Sequence, residues 1–270
     1  MSDKNMSSEF PTVPGGARLV LKYVSKFPPP QEATSEETKL EAGTLRDASP
    51  RWLALGCREG TTAIALASKY AVSVLGVDDD AEALMAARFF HQQAKLKGSV
   101  KFRFMDLDAL DLAPESFSAV ISEGNQARIP LPRLVDLAQS LLRSDGLLYL
   151  LDAVWLRRPV PTYVKDVWET VERPIHTLEE SCDIVREHGL EVLTAADETQ
   201  ALAAFYSGHL DAVREAGRRP EYSSGEMKKI LLKYKHEVDV YTRHQGKKWM
   251  GYGVIVAEKP SKQGQSQTES

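Results

Sequence analysis

From residue 51 onward the chain alternates short apolar, β-rich runs with helical stretches, and this alternation constrains the fold more than any other feature. Trp52-Leu53-Ala54-Leu55 is followed by a glycine-bearing turn and then an Ala-rich helical stretch over 61–70. Residues 72–77 form a second β-rich run that ends in three acids, Asp78, Asp79 and Asp80. A helix is expected over 81–97, with Ala81, Leu84, Met85 and Phe89 on its apolar face. Strands are expected over 100–105 and 118–122, a helix over 132–142 and a fully apolar strand over 147–151. Strands and helices in strict alternation imply a parallel sheet covered on both faces.

The rest of the chain frames this core. Residues 1–48 read as a polar tail, a short helix over 16–26 and a proline-containing flap. The core spans 49–198, and within it 177–188 is amphipathic and stops at Gly189, a helix-ending glycine, before a strand over 190–194. Residues 199–250 form a charged helical insertion, 251–259 a final core strand, and 260–270 a disordered tail.

Composition narrows the function classes. The 270 residues are 43% hydrophobic and 27% charged, so one large domain or a core with an appendage can bury its own core, and wholesale disorder is excluded. The net charge of -4 argues against nucleic acid as the main partner, since phosphate neutralisation calls for the opposite sign. Lys228, Lys229, Lys233 and Lys235 are interspersed with Glu226, Glu237 and Asp239, which suits a solvated helix face. Cys57 and Cys182 lie far apart, and the histidines share no ligand spacing, so neither a disulfide framework nor a metal is expected. There is no secretory signal and no apolar run near the ~18 residues of a membrane span, so a reduced, cytoplasmic protein is expected. Nothing in the pattern reports the oligomeric state.

In an open parallel sheet, ligands bind beyond the carboxyl ends of the strands. The residues that matter most are therefore 56–60, 78–80, 106–108, 122–125 and 152–155. Glycines Gly56 and Gly60 let the backbone approach a ligand closely. The acids from Asp78 begin 22 residues after Gly56, which suits a carboxylate accepting both ribose hydroxyls of a nucleoside. The dinucleotide pattern G-x-G-x-x-G fails at Arg58 and Thr61, and the phosphate-loop pattern fails too, so a nucleoside without a long phosphate chain fits better.

These residues resemble the class I S-adenosylmethionine-dependent methyltransferases. Leu55-Gly56-Cys57-Arg58-Glu59-Gly60-Thr61 is similar to their first motif, and Gly76-Val77-Asp78 to the strand whose terminal acid holds the ribose. Phe104-Met105-Asp106, Phe117-Ser118-Ala119-Val120 and Ser144-Asp145-Gly146-Leu147-Leu148 match later strands and turns. Ser122-Glu123-Gly124 after the fourth strand, Trp155, Pro14-Gly15-Gly16 and Gly251-Tyr252 resemble a group of small bacterial small-molecule methyltransferases. The resemblance implies an α/β, Rossmann-like, doubly wound and mostly parallel seven-stranded sheet. Its last strand is antiparallel, with N-terminal and C-terminal helical cover. It implies S-adenosylmethionine as cofactor, held by Gly56, Cys57, Gly60, Asp78, Asp79, Asp106 and Leu107, and a small-molecule acceptor oriented by Glu123.

Two positions depart from the family pattern. Ala54 replaces an acid and Arg58 the central glycine. Arg58 can fill the cofactor space, turn outward, or pair with the cofactor carboxylate. The alternative is a non-catalytic binding module with a degenerate cofactor site. Bland readings stand beside the sharp ones: Asp78, Asp79 or Asp80 as a helix cap, Asp106 as a solvated loop acid, and Trp155, Tyr206, Trp249 and Tyr252 as core or lid packing rather than a cation cage. Cys57 is expected to pack rather than to act as a nucleophile.

Overall fold

The computed structural model describes residues 13–30, 51–126, 128–218 and 225–261. In chain order its strands are β1 (Arg51–Leu55), β2 (Ser73–Asp78), β3 (Ser99–Phe104), β4 (Phe117–Glu123), β5 (Leu142–Trp155), β6 (Glu191–Asp197) and β7 (Met250–Glu258). They form one sheet in the order β3-β2-β1-β4-β5-β7-β6. Neighbours β1 to β5 pair parallel, and β7 runs antiparallel between β5 and β6. The sheet is thus six parallel strands with one reversed, as the family resemblance implied. The flap and both termini lie largely outside the described residues.

The helices are α1 (Gly16–Lys26), α2 (Thr61–Lys69), α3 (Ala81–Gln93), α4 (Leu131–Leu141), α5 (Thr162–Trp168), α6 (Leu178–Glu187), α7 (Thr199–Ala216) and α8 (Gly225–Arg243). Successive strand residues serve opposite faces. Trp52 and Ala54 enter a core shared with α1, α2, α7 and α8, while Leu53 and Leu55 enter a second core with α4 and α6. This is why the parallel strands read as continuous apolar runs rather than alternating ones. α1 packs Leu19, Val20, Tyr23 and Val24 inward. It is tied to the start of α7 by Tyr23, whose hydroxyl donates to Glu198 at 2.6 Å, and by the Lys22–Glu198 ion pair.

The buried face of α3 and several element ends differ from expectation. In α3 the buried residues are Leu84 and Ala87, while Met85 and Phe89 are 68% and 58% exposed. The Asp80 cap sets the phase of the helix, and the small Ala87 lets that stripe lie against the sheet. α3 also stops at Gln93 rather than at 97. The Lys97 and Gly98 amides both donate to the Ala67 carbonyl, at 3.1 and 2.9 Å, and turn the chain into β3. β5 reaches Trp155 because β7 pairs with it continuously from Leu147 to Trp155, which carries Asp152 inside the sheet. The short α5 was not anticipated.

The chain leaves β1 for α2 on one face and leaves β4 for α4 on the other. β1 and β4 are neighbours, with Leu55 opposite Ser122. The crevice beyond their carboxyl ends is the topological switch point.

Candidate functional site

The turn after β1 is built from left-handed backbone. Gly56, Arg58 and Gly60 have φ of 60°, 49° and 71°. The Cys57 amide donates to the Val77 carbonyl at 3.0 Å, and the Gly60 amide to the Cys57 carbonyl at 2.8 Å. A Cβ on Gly56 would stand 2.0 Å from Asn125 Oδ1, and one on Gly60 would stand 2.4 Å from the Phe102 ring, so neither position admits a side chain without movement. Arg58 adopts the left-handed conformation despite its Cβ, at a cost of roughly 1–2 kcal/mol. Its side chain turns inward across the crevice, where Nη2 donates to the Gly124 carbonyl at 3.3 Å.

Asp78 ends β2 and is fully buried. Asp80, not Asp78, caps α3 by accepting from the Glu82 and Ala83 amides. Asp78 is thereby left for the crevice, where it collects four donors. The Arg58 amide donates to Oδ2 at 2.7 Å and the Asp80 amide to Oδ1 at 2.9 Å. Arg128 closes on both oxygens, Nη1 to Oδ2 at 3.2 Å and Nη2 to Oδ1 at 2.8 Å. Burial by itself raises this carboxyl, but the guanidinium and the two amides outweigh it and hold Asp78 below the usual carboxylate range. Asp79 is exposed and also pairs with Arg128.

The remaining expected residues are spread along the same edge. Asp106 is exposed, and its Oδ1 accepts from the Asp108 amide at 2.9 Å. The Leu107 side chain is buried in the second core, so it offers a ligand its backbone rather than its side chain. Burial and the nearby Asp78 charge push the Cys57 thiol up to about 12, so it is no thiolate nucleophile.

Glu123 stands at the end of β4 with a buried Oε1 that has no partner among the described residues. Burial pushes its carboxyl up to about 7, opposed by a hydrogen bond with Thr62 and by the Arg58 charge. One strand over, buried Asp152 accepts from the Gln126 amide at 2.9 Å and the Ala153 amide at 2.8 Å, and burial lifts it to about 6. Asp152 thus pins the turn that carries Asn125, Gln126 and Arg128. Asn125 Oδ1, Gln126 Oε1 and Arg58 Nε are likewise buried and without hydrogen-bond partners among the described residues. Buried polar atoms of this kind at a strand-end crevice are ones that a polar ligand or ordered water can satisfy.

The aromatics take their packing roles. Trp155, Tyr206 and Tyr252 are buried, with Trp155 Nε1 donating to Glu169 at 2.8 Å and the Tyr252 hydroxyl to the Leu151 carbonyl at 3.2 Å. Tyr206 stacks on Tyr241 at 4.2 Å, and Trp249 lies under Arg157 at 4.3 Å. A cavity of about 470 Å³ opens at the other end of the sheet, lined by Arg51, Ser73 and Phe117 at the starts of three strands, away from these groups. Among the described residues there is no group of three or more His, Cys, Asp or Glu that could hold a metal, and no helix long and apolar enough to cross a membrane.

Sequence reasoning named Asp78, Glu123 and the glycine turn, and the fold brings them to one edge. It flagged the segments containing Asn125 and Asp152 without assigning them roles. It missed Thr62 and Arg128. Arg128 lies 50 residues from its partner, and no local pattern announces the pair.

Residues 53–146 match a family model described as a methyltransferase domain. No curated protein matches the chain in sequence. Among solved structures, Haemonchus contortus phosphoethanolamine N-methyltransferase 2, bound to phosphomonomethylethanolamine and S-adenosylhomocysteine, superposes with a TM-score of 0.70 at 16% identity. The alignment covers 92% of this chain and spans about half, 54%, of that one. The [4+2]-cyclase SpnF gives 0.66 at 18% identity over 78% of this chain and 75% of its own, and the Mycobacterium tuberculosis cyclopropane synthase MmaA2 gives 0.66 at 13% over 78% of each. These likenesses speak to the fold, and the differing names on it show why activity has to be argued from the site. Residues 53–146 of the chain thus match a methyltransferase domain, and the sheet that carries them has the fold of solved S-adenosylmethionine-dependent methyltransferases.

Proposed function

We propose that the protein transfers a methyl group from S-adenosylmethionine to a small-molecule acceptor in the crevice between the ends of β1 and β4. The observation that carries this reading is the meeting there of the glycine turn, the Asp78 carboxylate and the buried, unpartnered Glu123 oxygen. These residues suit the cofactor. Asp78 is a two-oxygen acceptor of the kind a ribose diol needs, flanked by Asp79. The turn at Gly56, Cys57 and Gly60 brings backbone close to the crevice. Asp106 and the Leu107 backbone stand at the end of β3 for the adenine. The unsatisfied atoms of Arg58 and Asn125 face the same region and suit the charged amino-acid end.

When bound, the cofactor supplies an electrophilic methyl group on a sulfonium. The chain's part is placement, since transfer depends on in-line alignment of acceptor and methyl more than on acid–base groups. Glu123, titrating near neutrality, accepts a hydrogen bond from the N–H or O–H of the acceptor and orients it. The net charge of -4 supports a small-molecule acceptor over nucleic acid.

Calorimetric titration with S-adenosylmethionine and S-adenosylhomocysteine tests the reading. Saturable binding is expected, and ligand at 100 times its Kd would add about 2.7 kcal/mol to stability in a parallel thermal melt. No saturable heat up to millimolar ligand, from folded wild type or from folded Arg128 variants, would overturn it. The alternative of a binding module without cofactor would then stand.

A further inference from the structure

We infer that Arg128 is an internal occupant of the ribose carboxylate, so that Arg128 and the cofactor's nucleoside compete for Asp78 and Arg128 sets the cofactor affinity. This rests on the cofactor reading given above. The argument is a count of acceptor sites. An ionised carboxylate offers about four lone-pair positions. Asp78 already receives four N–H donors, two from backbone amides and two from the Arg128 guanidinium. No position is left for a diol while all four stay.

The four donors are not equally free to leave. The Arg58 and Asp80 amides belong to the glycine turn and to the turn capped by Asp80, and neither can move without unmaking an element. Arg128 arrives on a side chain from the connection between β4 and α4. The backbone beside it is pinned: the Gln126 amide donates to Asp152 at 2.9 Å, and the Arg128 and Ile129 amides donate to the Asn125 carbonyl at 2.8 and 2.9 Å. What can change is the rotamer. The Arg128 side chain is 24% exposed, against none for Asp78, so it has a path to water. Asp79, 44% exposed and already paired with the same guanidinium, offers a second anchor beside that path.

The exchange is balanced in hydrogen bonds but not in charge. Two ribose hydroxyls can replace two guanidinium N–H donors, yet they bring no positive charge to a buried carboxylate. Displacing Arg128 therefore opposes binding, and apparent affinity falls by the fraction of molecules in which Asp78 is free. A purely structural role for Arg128, as the counter-charge that lets Asp78 be buried, makes the opposite prediction, because removing it would disorder the ribose site.

Isothermal titration with S-adenosylhomocysteine, with a thermal melt of each protein, separates these. Wild type, Arg128→Ala and Arg128→Lys are compared. Arg128→Ala is expected to melt lower than wild type without ligand yet bind at least about tenfold tighter. Arg128→Lys, which keeps the charge and loses the two-pronged geometry, is expected to fall between them. If Arg128→Ala does not fold, the order of Arg128→Lys against wild type decides alone. Binding by wild type that is equal or stronger than in the variants overturns the competition and leaves the cofactor reading intact. No binding by any of the folded proteins overturns both.

Discussion

Asn125 stitches the turn after β4 to the end of β1. Its Nδ2 donates to the Leu55 carbonyl at 2.7 Å, while its Oδ1 fills the space that a Cβ on Gly56 would need. Gly56 is thus held by two independent demands, a positive φ and a close approach. Gly56→Ala is expected to cost about 1–3 kcal/mol, combining strain and overpacking. Urea denaturation measures it, and an unchanged midpoint would show that Asn125 can step aside.

The titration of Glu123 predicts a pH dependence of stability. Its folded carboxyl is raised from 4.5 to about 7, so the native state holds the proton more tightly than the unfolded chain does. Stability contributed by the neutral form is present below about pH 4.5 and lost as pH rises toward 7. Asp152, raised to about 6, acts in the same direction at somewhat lower pH. Glu123→Gln removes the first contribution, and is expected to gain on the order of 2–3 kcal/mol relative to wild type between pH 5 and pH 8. Denaturant melts at the two pH values decide, and parallel shifts of both proteins would refute the assignment.

Arg58→Gly relieves the left-handed strain and removes a charge that favours ionised Glu123. Strain relief of roughly 1–2 kcal/mol is offset by loss of the hydrogen bond to Gly124, so net stability is expected to stay within about 1 kcal/mol. The Glu123 titration is expected to move above its wild-type midpoint. Carboxyl chemical shifts against pH would show this, and a downward move would mean that Arg58 does not act on Glu123.

In the helical cover, the Tyr206 hydroxyl donates to Glu237 at 2.5 Å and accepts from Trp168 Nε1 at 3.0 Å. Tyr206→Phe keeps the stacking on Tyr241 and strands both partners. A loss of about 1–3 kcal/mol is expected, the scale for a buried polar group left unsatisfied. A thermal melt within error of wild type would show that water replaces the hydroxyl.

Local chemistry made much of this molecule readable from residues alone. Alternating apolar runs and helical stretches specify a parallel sheet because each segment carries its own period. Gly56 and Gly60 mark a turn because only glycine tolerates both the φ and the closeness found there. Asp78 was placed at the edge of the crevice by its position at the end of a strand. What only the tertiary structure decided depends on elements far apart in the chain. The side of α3 that faces inward was settled by its cap and by the sheet beneath it, which left Met85 and Phe89 in water. β5 extends through Asp152 because β7 returns about a hundred residues later to pair with it. Arg58 turns inward, and Arg128 meets Asp78, because the crossover sets the ends of β1, β2 and β4 side by side. Neither arginine's partner is encoded in its neighbours. The period of a segment is a short-range property, whereas the pairing of a buried charge is fixed by which strand ends the sheet brings together.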